Sequence, residues 1–195
     1  PKVPNSSPSF GSPAPRAAHL MTYDTSRDRI VVFGGTLGAL TSPIGALLEL
    51  QYGATGMVPV PITVQPEPAA RFGISSAATY DPVLGEVLIY GGSTEFPGAS
   101  GTVSYFDDLW AWNGSRWTQR CSSCTGTART LGPLLHDQHR GGEVLLGGFD
   151  GGDELAGTWT FSPPTNVWQL VDATNPSPRD SMGVAYNTDS GTIVV

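Results

Sequence analysis

The sequence predicts an all-β fold, a β-propeller built of four-stranded antiparallel blades. Three observations lead there. A hairpin that stops at a double glycine recurs along the chain at constant internal offset. The recurrence has a period of roughly 50 residues, the length of one propeller blade. The composition agrees: 25 glycines and 17 prolines in 195 residues, only 14% charged residues, and no sustained helical periodicity. That favours short strands and tight turns over a helix bundle.

Residues 1–15, PKVPNSSPSFGSPAP, are Pro/Ser-rich and read as a linker or the tail of a preceding blade. From Arg16 the repeat begins. The first halves of the units are RAAHLMTYDTSRDRIVVFGG, RFGISSAATYDPVLGEVLIYGG and RTLGPLLHDQHRGGEVLLGG, opening at Arg16, Arg71 and Arg129. A fourth, RDSMGVAYNTDSGTIVV, opens at Arg179. Tyr23 to Gly34, Tyr80 to Gly91 and His136 to Gly147 are each a step of 11. The anchors Tyr23, Tyr80, His136 and Tyr186 stand 57, 56 and 50 residues apart.

Within a unit, strand a follows the arginine. Strand b, such as Val87 to Tyr90, ends at Gly34-Gly35, Gly91-Gly92 or Gly147-Gly148. The glycines allow a sharp backbone turn there. Strand c carries an aromatic-x-aromatic triplet, and strand d starts at a Trp. Trp110, Trp112 and Trp117 align with Trp159, Phe161 and Trp168, while the first unit has Leu50, Tyr52 and Met57 in those places. Asn113-Gly114 is the strongest short hairpin signal, here between strands c and d. Each buried Trp contributes about 2–3 kcal/mol, so Met57 predicts a weaker outer edge for the first blade. The blades are expected at 16–66, 71–122 and 129–173, with a partial one at 179–195.

The double glycines, the spaced Trp110/Trp117 and Trp159/Trp168 pairs and an Arg opening each unit make the chain resemble a run of kelch repeats. It is most similar to the prokaryotic kind grouped with the central domain of galactose oxidase, over residues 16–195. The resemblance implies six or seven blades, so the chain is expected to be part of a larger propeller. Its partners would be the remaining blades or, alternatively, a self-associating copy. The resemblance does not carry oxidase activity, because no counterparts of the copper ligands can be placed here. No cofactor is expected.

A net charge of −7 with scattered basic residues argues against a nucleic-acid surface, which needs a basic stripe. No apolar run approaches a membrane span. Lys2 is the only lysine, and with abundant Ser, Thr, Gly and Pro this favours an exported, extracellular or cell-surface protein.

The opening arginines are expected to bind carbonyls or an Asp within their own or the next blade. Asp24, Asp81 and Asp137 read as turn residues. His136 and His139 have a His-x-x-His spacing, but His136 fills a Tyr position, and no metal site is assigned. Cys121 and Cys124 form a lone CxxC. A short loop disulfide is preferred over free thiols and over redox catalysis, since the second zinc pair and the helix that redox sites use are missing. Asp150, Asp153 and Glu154 lie on a Gly-rich loop whose spacing is not that of an EF-hand, so a solvated acidic loop is preferred to a Ca²⁺ site.

The long b–c loop Ser93 to Tyr105, with Phe96, Tyr105, Phe106 and Asp107 near it, is the most suggestive binding element, joined by Asp150 and Asp153. Loops on one face of a rigid scaffold are where function is mounted. The preferred function is a non-catalytic scaffold that binds protein or glycan through these loops. The alternatives are part of a galactose-oxidase-like or mutarotase-like carbohydrate enzyme completed by further blades, and a structural spacer.

Overall fold

The computed structural model describes residues 15–38, 42–54, 56–60, 62, 67–73, 77–96 and 102–195. The stretch 1–14 lies outside them, as do 39–41 and 97–101 within the two long b–c loops. The described residues form fourteen strands and no helix.

The first sheet is β1 (Leu20–Asp24), β2 (Arg29–Phe33), β3 (Leu47–Gly53) and β4 (Gly56–Val60). The second is β5 (Ala78–Asp81), β6 (Glu86–Tyr90), β7 (Leu109–Trp112) and β8 (Trp117–Cys121). The third is β9 (Leu134–Asp137), β10 (Gly142–Leu146), β11 (Thr158–Ser162) and β12 (Val167–Asp172). β13 (Ala185–Asn187) and β14 (Thr192–Val194) make a two-stranded sheet. In each sheet the strands pair antiparallel in sequence order. This is an all-β propeller with three complete blades and two strands of a fourth.

The hairpin joining strands a and b is set by one side chain. Asp81 Oδ1 accepts from the N–H groups of Val83 (2.7 Å) and Leu84 (3.1 Å), closing the turn as an Asx cap. Asp24 does the same for Ser26 and Arg27, and Asp137 for His139 and Arg140. In the last unit Asn187 does so for Asp189 and Ser190. Glu86 belongs to β6, opposite Asp81, so the turn between the strands is Pro82 to Gly85. At the c–d connection Asn113 Oδ1 caps a four-residue loop by accepting from Ser115 and Arg116 N–H groups. Trp112 and Trp117 pair across it.

Blades stack through their faces. Leu20 and Phe33 of the first pack with Val87, Ile89, Trp112 and Trp117 of the second. Leu88, Tyr90 and Leu109 of the second pack with Leu134, Leu145 and Phe161 of the third. Alternate residues of β6 therefore face opposite neighbours, and its continuous apolar run is the signature of a strand buried on both sides. Of the repeated aromatic positions Trp112, Trp117 and Phe161 are buried, while Trp110, Trp159 and Trp168 are half-buried against the same clusters. In the first blade the paired Tyr52 and Met57 are exposed at 74% and 41%, so that outer corner is the loosest of the three.

The arginines and the double glycines form one repeated lattice. Nη1 of Arg16, Arg71 and Arg129 donates to the carbonyl of Gly34, Gly91 and Gly147, at 3.3, 2.9 and 3.0 Å. The N–H of Gly35, Gly92 and Gly148 donates to the backbone carbonyl of the arginine opening the next blade, at 2.9, 2.9 and 3.0 Å. Arg71 and Arg129 thus each hold their own blade's glycine corner with the side chain and the previous blade's with the backbone. Arg179 completes the series through its backbone alone. Among the described residues its exposed side chain bonds only to Ser177.

Candidate functional site

Strand a begins and strand b ends on the same face, where the b–c and d–a loops emerge. Two b–c loops meet there. In the second blade the loop is pinched at its base: Ser93 bridges both Phe72 and Tyr105, and Thr94 donates from its N–H to the Ser104 carbonyl at 2.9 Å. In the third blade Phe149 bridges Thr130 and Glu154, closing a short loop. Asp150 Oδ1 accepts from the N–H groups of Gly152 and Asp153, both at 2.9 Å, which holds its carboxyl below the usual carboxylate range.

These closures bring the loops into contact. The Tyr105 ring meets Phe149 edge-on at 6.1 Å and covers Gly151. Its phenol is pushed up by burial and then by the charge of Asp150. Phe96 packs edge-on against the buried Phe72 at 6.3 Å. Tyr105, Phe149 and Asp150 therefore form one patch, half-buried and fixed from below, with exposed Asp153 beside it.

Two of the sequence-predicted binding residues do other work. Phe106 lies 4.2 Å beneath the Arg71 guanidinium. Asp107 accepts from Tyr90 Oη (2.7 Å), the Thr125 N–H (3.0 Å), the Gly126 N–H (2.9 Å) and the hydroxyls of Thr125 and Ser123. Burial first, with Asp107 adding to it, pushes the Tyr90 phenol well above its usual value. With so many donors, Asp107 is the anchor of the d–a loop. The same loop holds the bonded pair Cys121–Cys124, with Cα atoms 5.5 Å apart. Reduction is expected to cost no more than about 2 kcal/mol, the chain-entropy value for so short a loop, because the Asp107 bonds remain. Urea unfolding with and without reductant checks this.

At the opposite end of the strands lies a group that sequence reasoning missed. The His136 imidazole does not join His139, which sits exposed on the turn. It faces back into the second blade. His136 Nδ1 is 3.0 Å from Glu143 Oε1 and 3.9 Å from Asp81 Oδ1. Asp81 and Glu143 are fully buried and His136 nearly so. Among the described residues Asp81 Oδ2 and Glu143 Oε2 have no hydrogen-bond donor.

Burial pushes the Glu143 carboxyl up to about 7, with Asp81 adding to the rise and His136 opposing it. Burial lowers the His136 imidazole, but the Glu143 hydrogen bond and the charges of Glu143, Asp81 and Asp137 outweigh that and raise it. Two buried carboxylates thus face a single imidazole. A signal was present in the sequence. Seven residues after the anchors Tyr23, Tyr80 and Tyr186 come Ile30, Val87 and Ile193, whereas seven after His136 comes Glu143. His136 and Glu143 are cross-strand partners, as are Tyr80 and Val87.

No protein-family model matches the chain, and no curated protein matches it significantly. Among solved structures it is similar to the structure of YjhT. The TM-score is 0.59 at 15% identity, over 84% of this chain and 46% of that one. The likeness is one of fold. This chain spans less than half the length of that protein.

Proposed function

We propose that the chain is a non-catalytic propeller scaffold of the kelch kind, which binds a protein or glycan on the face of its b–c loops. The contact of Tyr105 with Phe149 and Gly151 carries this reading, because it gives two neighbouring blades one shared patch. An aromatic ring offers apolar contact area, and adjacent carboxylates accept hydrogen bonds from hydroxyls. That combination suits a sugar better than an acidic partner. The bonded Cys121–Cys124 pair supports an exported protein working in an oxidising compartment.

The test is a glycan array, with Tyr105→Ala and Asp150→Asn as variants. The wild type is expected to bind a restricted set of glycans. Tyr105→Ala should weaken these about tenfold or more, the scale of losing one well-placed aromatic contact. Glycan binding that both variants leave unchanged would move the site elsewhere. Absence of glycan binding, with a protein ligand whose affinity falls in Tyr105→Ala, would select the protein branch.

A further inference from the structure

The buried Asp that ends strand a pairs with an arginine of its own blade in the first and third blades, but not in the second. In the first blade Arg27 donates from Nε to Asp24 Oδ2 at 2.7 Å and pairs with Glu49 at 2.5 Å. Glu49 also accepts from Trp112 Nε1. In the third blade Arg140 pairs with Asp137 at 2.6 Å. In the second, Leu84 stands where Arg27 and Arg140 stand, three residues after the Asp, and Ala111 stands at the register of Glu49. Among the described residues Asp81 therefore lacks the own-blade arginine that Asp24 and Asp137 have. The third blade supplies His136 instead, and together with it a second carboxylate, Glu143.

One imidazolium would balance Asp81 alone. With Glu143 ionised as well the group is one positive charge short, and because uncompensated buried charge is costly it must either keep a proton or take up a cation. A divalent cation supplies the balance, since two carboxylates, a neutral imidazole and a +2 ion sum to zero.

The geometry agrees. One donor atom from each residue can be chosen so that all three lie within 4.8 Å of one another. A tetrahedral ion with bonds of about 2.0–2.1 Å separates its ligand atoms by roughly 3.3 Å. The observed 3.0 and 3.9 Å from His136 Nδ1 bracket that spacing. The undonated oxygens, Asp81 Oδ2 and Glu143 Oε2, are spare ligand atoms in the same group. A nitrogen and carboxylate donor set suits Zn²⁺ and its first-row neighbours, with a fourth position left for water.

We propose that Asp81, His136 and Glu143 bind a divalent transition-metal ion, with Zn²⁺ the best match to the donors, and that the ion ties the second blade to the third.

The experiment unfolds the full chain in chelator and refolds it with Zn²⁺ or Co²⁺. Metal content is then measured after gel filtration, affinity by calorimetry, and Tm. One Zn²⁺ per chain is expected, with a raised Tm and intense visible Co²⁺ bands. The double variant His136→Tyr/Glu143→Val restores the pair that the second blade carries at Tyr80 and Val87. It should weaken Zn²⁺ binding more than about 100-fold, beyond the 10–100-fold lost when a residue that merely supports a ligand is removed. Asp81→Asn keeps the turn cap and should also weaken binding, which provides a readout should the double variant fail to fold. His139→Ala should bind as the wild type does. No stoichiometric uptake by the wild type overturns the proposal. So does uptake that Asp81→Asn and the double variant leave unchanged, or that His139→Ala abolishes.

Discussion

Arg71→Met is expected to destabilise the protein by about 3–5 kcal/mol, the cost of breaking a buried ion pair from one side. Arg71 is fully buried. It holds Asp108 with two parallel bonds, Nη1 to Oδ1 at 2.6 Å and Nη2 to Oδ2 at 3.0 Å. It also donates to the carbonyls of Gly91 and Ala69 and lies over the Phe106 ring. Methionine keeps most of the volume and none of the donors. Asp108 would then keep one side-chain donor, Trp110 Nε1 at 2.8 Å, in a site where an unpaired charge is costly.

The double variant Arg71→Met/Asp108→Asn should recover about 1–3 kcal/mol relative to additive losses, the coupling typical of contacting residues. Arg179→Met should stay within about 0.5 kcal/mol, as exposed substitutions do. Urea unfolding followed by tryptophan fluorescence measures all three. Equal costs for Arg71 and Arg179 would show that the shared backbone lattice, not the ion pair, sets the contribution of these arginines.

The four arginines show what the sequence makes legible and what it does not. Their recurrence, with the step of 11 from Tyr to Gly, is local and periodic, so the blade, its turn at Asp81 and its glycine corner can be read from residues alone. The inequality among them cannot. It comes from Asp108, 37 residues beyond Arg71, whose register positions in the other blades hold Ala46 and Gly157.

The face of the b–c loops was half legible for the same reason. Tyr105 and Asp150 could be assigned to loops on one face, but their contact depends on how two blades stack. Asp107 read as a candidate binding residue, yet a loop 18 residues away donates backbone N–H groups to its oxygens. The Asp81, His136 and Glu143 group needed two facts at once. One is the cross-strand register, which the repeat could have supplied. The other is the side of the strand that meets the neighbouring blade, which follows only from the stack.

Gly91→Ala is the second large effect, at about 3 kcal/mol or more. The residue has φ +61°, and an L-residue in that region costs about 1–2 kcal/mol. That is the smaller part. A methyl at Gly91 would run into the backbone carbonyl oxygen of Arg129 in the next blade. At Gly34 and Gly147 the corresponding approach, to the Arg71 and Arg179 carbonyls, is 2.5 Å. The obstacle is backbone that cannot swing aside, because the Gly92 N–H holds the same oxygen at 2.9 Å. Overpacking of this kind costs about 1–3 kcal/mol, and relief requires the second and third blades to move apart. Gly85→Ala isolates the conformational share: it has φ +67° but open space around it, so its loss should be only about 1–2 kcal/mol. The difference between the two losses, read from urea midpoints at constant slope, measures the close approach alone. Were the two variants equally costly, the first glycine of the pair would serve only to turn the chain. A larger loss at Gly91 makes it the point where one blade is seated against the next.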